Sequence, residues 1–378
     1  MRKYYSIIGS REYFTSVLKE LEPDNEYDNF MNLIRETDDL RRAGQLKRFV
    51  PRKKVAVYND NYIGLVESAN DRLDAIIREH TSDDATIYVH NPPLSLFEAL
   101  RQGSMQRAIV LNEDYREKYL LNRELENYVQ GIRRIEEVLI GQEDAIHEIA
   151  KSMWYLTQVQ RKKPYVIMLY GGSSLGKTEL VRHLSKHFFD GKYMEKHLSM
   201  FKNFNYQNYL FGEAPNRRSI GYDLLERESN LVFLDELDKC PEAFYSAFYT
   251  LFDNTLFKDA VYEVDISGLL IILTSNYSNE EEMKKDLGLP IFYRIDKFIH
   301  FKEFTPETIY QITVNELKER ECEFSSKFSI EDVYAEVSKE IEIKGENART
   351  IKAKIQKVIE EMLFREVESQ YSRVVQSS

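Results

Sequence analysis

The stretch GGSSLGKT, residues 171–178, places Gly171, Gly172 and Gly176 around Ser173, Ser174 and Leu175, then sets Lys177 and Thr178 after them. The spacing is G-x-x-x-x-G-K-[ST]. Glycines let the backbone wrap close to phosphate with several N–H groups pointing inward. A helix opening there, with Glu179 in its first turn, adds a positive dipole end. Lys177 supplies a charge to β- and γ-phosphates, and the Thr178 hydroxyl suits Mg²⁺. A second stretch, LVFLDELDK (231–239), is an apolar run ending in two carboxylates. Asp235 can hold Mg²⁺, directly or through water, and Glu236 beside it can polarise an attacking water. The two stretches together imply ATP hydrolysis.

These residues need a scaffold. YVIMLY (165–170) reads as the strand before the glycine loop and ELVRHLSKHFF as the helix after it, which is the context the motif requires. KHLSM (196–200), LVFLD (231–235), LLIILT (269–274) and FIHFK (298–302) are further short apolar strands separated by amphipathic segments. That alternation predicts a parallel sheet covered on both faces, of α/β class, over residues 135–302. Residues 303–378 read as a helical lid, with Pro306 placed to start its first helix.

Residues 1–112 read as a separate small α/β domain that holds a partner. Its expected strands are KKVAVY (53–58), ATIYVH (85–90) and AIVL (108–111), with helices at 70–79, capped by Asn70, and 95–102. A helical connector follows at 113–134, its helical pattern running on to 138 with a break near Gly131.

Composition sets bounds. A chain of 378 residues, 43% hydrophobic and 30% charged, can fold as two or three domains. A net charge of -11 argues against a general nucleic-acid coat. Cys240 and Cys322 form no metal spacing and read as reduced thiols in a cytoplasmic protein. No apolar run approaches the ~20 residues of a membrane span, and the start lacks a signal peptide's apolar stretch. RRAGQLKRFVPRKK (41–54) carries seven basic residues and no acidic one, which reads as a charged loop before a strand or as an anion patch.

The order of VLIGQEDAIHEIAKSMW (138–154), GGSSLGKTEL, LVFLDELDKCPEAFYSAFYTLFD, LLIILTSN, YRIDKFIHF and NARTIKAKIQ resembles the Clp-type AAA+ ATPases, over about residues 135–378. The resemblance implies an AAA+ P-loop fold with a five-stranded parallel sheet and helical lid, assembled as a homo-hexamer that remodels a protein using ATP and Mg²⁺. It implies that Ile140 packs against adenine, that Asn276 places the hydrolytic water, that Arg349 contacts the γ-phosphate from the lid, and that Arg294 reaches the neighbouring subunit's nucleotide. The stretch before Arg294 is one residue shorter than the family's pattern. In the family, the segment after the P-loop helix carries a central-pore loop built as glycine, aromatic, apolar residue, glycine. Here LFGEAPNRRSIGY puts Arg218, preceded by Arg217, where the aromatic stands, so the resemblance turns the two arginines toward a ring's channel. Three readings stay open: gripping an acidic peptide or nucleic-acid backbone, contacting a dedicated partner, or plain solvation. The departure also leaves room for a nucleotide-dependent switch or scaffold that recruits a partner without threading a polypeptide.

Overall fold

The computed structural model describes residues 2–70, 72–102, 109–113, 124–200, 205–342 and 345–376. The first parallel sheet contains β1 (Lys3–Ile8), β2 (Asp28–Asn29), β3 (Arg52–Val57), β4 (Thr81–His90) and β5 (Ile109–Asn112), in the order β2-β3-β4-β1-β5. Val55, Val57, Ile87 and Val89 lie fully buried against Phe30, Leu33 and Ile77 of the covering helices. β1, an interior strand between β4 and β5, is absent from the strands expected above. Asn70 ends a short helix, and Arg72 stands at the N-cap of the helix Leu73–His80. Ala108 and residues 114–123 of the expected connector lie outside the described residues.

The second sheet comprises β6 (Tyr165–Tyr170), β7 (Met194–His197), β8 (Leu231–Asp235), β11 (Leu270–Thr274) and β12 (Lys297–His300), ordered β12-β6-β11-β8-β7 and parallel throughout. β6 and β11 have buried residues on both faces, as expected for strands covered by helices on either side. β7 begins two residues before the expected strand and ends at His197; Leu198–Met200 turn as a 3₁₀ helix. A small hairpin, β9 (Leu256–Lys258) with β10 (Glu263–Asp265), flanks the sheet.

The expected break at Gly131 does not occur. The helix Leu125–Val138 runs through it. A Cβ built on Gly131 would stand 2.6 Å from Phe188 Cζ, so the glycine permits close packing on the helix Lys177–Phe188. Tyr128 and Ile135 join the same apolar cluster as Leu184 and Ile167. The C-terminal helices form their own core from Leu317, Phe324, Val333 and Ile351. Pro306 occupies the first turn of the helix Pro306–Glu319, capped by Thr305.

The two sheets meet around one partly buried carboxylate. Glu226, from the second unit, accepts the Arg11 N–H at 3.1 Å and the side-chain amides of Asn59 at 2.8 Å and Asn91 at 3.2 Å. Leu94 N–H donates to Val261 O, and the Tyr262 hydroxyl donates to Asn59. Burial raises the Glu226 pKa, and these donors hold it back. In the basic stretch 41–54, Arg41, Arg42, Arg52, Lys53 and Lys54 each pair with a carboxylate, which leaves little of an anion patch.

His90 is 1% exposed, and burial pushes its pKa down to about 4; its ring also lies 3.6 Å from Glu226. The unfolded histidine binds a proton near pH 6.5 and the folded one does not. Stability from this group is therefore complete above pH 6.5 and lost as pH falls toward 4, by roughly 3 kcal/mol in all. Thermal melts from pH 7.5 to 4.5 should show a shallower acid loss for His90→Gln; equal slopes would assign the loss elsewhere. Gly131→Val should destabilise the fold by about 1–3 kcal/mol through overpacking against Phe188, read from a denaturant midpoint.

A candidate nucleotide-binding site

The backbone at the end of β6 turns sharply before it enters the helix Lys177–Phe188. Gly171, Ser174 and Gly176 take positive φ, at 132°, 59° and 102°. A Cβ on Gly171 would meet the Phe301 carbonyl at 2.3 Å, and one on Gly176 would meet Leu139 at 2.4 Å. The loop is thus held between the end of β12 and the segment containing Ile140. Lys177 caps it from inside. Its Nζ donates to Gly171 O and Gly172 O, both at 2.7 Å, and to Asn276 Oδ1 at 3.3 Å. Desolvation brings the lysine pKa down to about 8, while Asp238 and Asp235 pull it upward.

β8 delivers Asp235 to the same place. Next to it Glu236 adopts a left-handed backbone, φ 60° and ψ 52°, unusual for a residue with a side chain. Its N–H donates to the Thr274 hydroxyl at 3.0 Å, and that hydroxyl donates to Asp235 Oδ1. Asn276, two residues beyond the end of β11, receives a further hold from Asp238, which accepts its N–H at 3.4 Å. The helix Ala348–Gln376 closes the third side. Ala348 N–H donates to Ser174 O at 3.2 Å, so this helix starts directly on the phosphate-loop backbone. Asn347 accepts the Arg349 and Thr350 N–H groups as its cap.

A cavity of about 440 Å³ lies between these three elements. Ser173, Ser174, Gly176, Lys177, Thr178 and Glu179 form one wall. Asp235, Glu236, Thr274 and Asn276 form the second, and Ala348, Arg349 and Lys352 the third. Gly171, Gly172, Leu175 and Ile140 are outside this lining; Leu175 is buried in the apolar cluster beneath the loop. Lys352 lies in the stretch NARTIKAKIQ and Thr274 in LLIILTSN, but the sequence assigned neither side chain a role; helical spacing from Arg349 is the signal that could have found Lys352. The donor set fits a magnesium nucleotide. Thr178 and Asp235 offer hard oxygen ligands, and Lys177, Arg349 and Lys352 offer cations around a turn rich in inward backbone.

Arg294 is elsewhere. Its guanidinium stacks over Tyr249 at 4.8 Å, donates to Pro290 O at 2.6 Å and lies 3.6 Å from Asp253. Tyr293 beside it is 73% exposed. Arg217 and Arg218 are also remote from the cavity. Gly212 turns with φ 70°, Arg217 pairs with Glu213, and Arg218 stacks over Tyr222 at 5.3 Å. Ser219 then caps the helix Ile220–Leu225, which leads straight to Glu226. Among the described residues no cluster of three or more metal-ligating side chains occurs, and no helix is long and apolar enough to cross a membrane.

Comparison with known proteins agrees with this geometry. The family profile of the AAA domain (Cdc48 subfamily) matches residues 162–366, more than half of the chain. The chaperone protein ClpB of Oceanobacillus iheyensis is 27% identical over 61% of this chain and 34% of its own length. The AAA+ ATPase ClpV1 of Pseudomonas aeruginosa is 28% identical over 43% of this chain and 19% of its own. The mitochondrial disaggregase of Homo sapiens is 26% identical over 42% of this chain and 24% of its own. The chain spans about a third or less of the length of these relatives. With the phosphate loop, acidic strand end and lid cations converging on one cavity, and the profile covering all three, the chain belongs to the AAA domain family, Cdc48 subfamily, as a Clp-type AAA+ ATPase module.

Proposed function

We propose that the chain hydrolyses ATP at this cavity, with each site completed by the next copy in a homo-hexameric ring of the Clp type, and that the cycle remodels a bound protein. The observation that carries the reading is the convergence of Lys177, Thr178, Asp235, Glu236, Asn276 and Arg349 on one cavity. Lys177 would exchange its carbonyl partners for β- and γ-phosphate oxygens. Thr178 and Asp235 would hold Mg²⁺, which supplies charge neutralisation between the phosphates. Glu236 would take a proton from the attacking water that Asn276 orients. Arg349 would close the lid on the γ-phosphate. Ile140, next to the Leu139 that packs against Gly176, would cover the adenine.

Arg294 fits a role in trans. It lies outside its own cavity, beside an exposed aromatic, and is steadied by Asp253 and Tyr249. Cations that arrive only on assembly make hydrolysis depend on the ring. We further propose the domain division 1–112, 113–134, 135–302 and 303–378, with the first unit as the partner-binding part, in the cytoplasm.

A second reading is a nucleotide-dependent switch that recruits a partner without threading it. The arginine loop favours it. Arg217 and Arg218 are engaged by Glu213 and Tyr222, and no aromatic stands at the tip to grip a chain. Nucleic acid is a weaker candidate, because stacking aromatics are missing there too.

Lys177→Ala should weaken ATP binding by about 10- to 100-fold, the loss of charge-assisted hydrogen bonds, in a direct titration. Glu236→Gln should keep ATP binding and lower turnover by about 10²–10⁴-fold. Arg294→Ala should bind ATP normally and lose turnover, and mixing it with Lys177→Ala should restore part of the activity, because some interfaces then pair an intact cavity with an intact arginine. No restoration would count against action in trans. Glu236→Gln captured with ATP should retain a specific protein; a remodeller's capture should depend on Arg217 and Arg218, a switch's capture should not.

A further inference from the structure

Asp235 is held at both carboxylate oxygens by side chains to which the sequence assigned no role. The Thr274 hydroxyl donates to Oδ1, and His197 Nδ1 lies 3.2 Å from Oδ2. An ionised carboxylate only accepts, so the hydrogen lies on Nδ1 of the imidazole. The arrangement follows from the sheet. β7, β8 and β11 are neighbours, and His197 is the register partner of Asp235. Three adjacent strand ends therefore converge on one carboxylate, at the edge where open α/β sheets bind ligands.

Thr274 has a second task. Its oxygen also accepts the N–H of Glu236, whose left-handed backbone persists only where surroundings enforce it. One buried hydroxyl thus ties the carboxylate of Asp235 to the backbone of Glu236. His197 is partly exposed, and its position is set by its pairing in β7 opposite Asp235. Two of about four lone-pair directions on Asp235 are taken, and the residue lines the cavity.

We propose that His197 and Thr274 are positioning residues that fix the Asp235 carboxylate for a magnesium nucleotide, Thr274 also setting the backbone of Glu236. This rests on the reading of the cavity as an ATP site. Without either partner the carboxylate turns about its last bond, and its geometry toward the metal is no longer set. Partners of this kind commonly change metal affinity by about 10–100-fold when removed.

The test uses the full chain and a fluorescent ATP analogue, titrated first in EDTA and then at rising MgCl₂. His197→Ala and Thr274→Val should leave the EDTA affinity unchanged and raise the Mg²⁺ concentration for half of the magnesium-dependent gain about 10-fold. His197→Asn, whose amide nitrogen takes the place of Nδ1, and Thr274→Ser, which keeps the hydroxyl, should restore the parent value. Circular dichroism melts identify any variant that fails to fold, and the rescued pair then carries the comparison. Alanine and valine variants with the parent's Mg²⁺ dependence would overturn this inference alone. A parent chain with no magnesium-dependent gain would overturn it together with the ATP-site reading.

Discussion

The tight return of the backbone between Gly171 and Gly176 is the constraint on which the rest of the second unit depends. A chain that turns this sharply exposes its own carbonyls inward, and Lys177 answers two of them from the first turn of the following helix. The turn is possible only because side chains are missing where Phe301 and Leu139 press in. β12 and the segment before the helix Glu143–Gln158 are therefore walls of the loop as much as neighbours of it. The lid is set by the same backbone, since its last helix begins with a hydrogen bond to Ser174 O. Fold and cavity are consequences of one local geometry.

Around that turn the charges are arranged with little slack. Lys177 is desolvated enough to bring its pKa to about 8, yet Asp235 and Asp238 remain close by. Asp235 is saturated on two sides, and Glu236 is fixed through its backbone, which leaves its carboxylate less constrained. The carboxylate that would bind metal and the backbone of the residue that would move a proton are thus tied by one hydroxyl.

Much of this was legible in the sequence. The glycine–lysine spacing and the apolar run ending at Asp235 and Glu236 report backbone requirements that few residues satisfy. Parallel strands buried on both faces announce themselves as unbroken apolar runs, as in β6 and β11. β1 was hidden because KYYSII mixes tyrosines, a lysine and a serine, and its interior position comes only from pairing with β4 and β5. Gly131 was misread because a helical glycine signals a break locally, whereas here the cause is Phe188, 57 positions along the chain. His197, Thr274 and Lys352 lie in stretches that the sequence singled out, but their roles were hidden, since what joins their side chains to the site is strand order and the placement of the last helix, neither of which is local.

Glu226 has a mechanical meaning. It sits one residue past the helix that begins beside Arg217 and Arg218, and it is bonded to the first turn of a helix in the other unit. Sliding either unit by the rise of one residue would strand a charge among partners aimed at nothing. The contact therefore has the form of a keyed joint: three donors from the first unit fit one setting of the carboxylate.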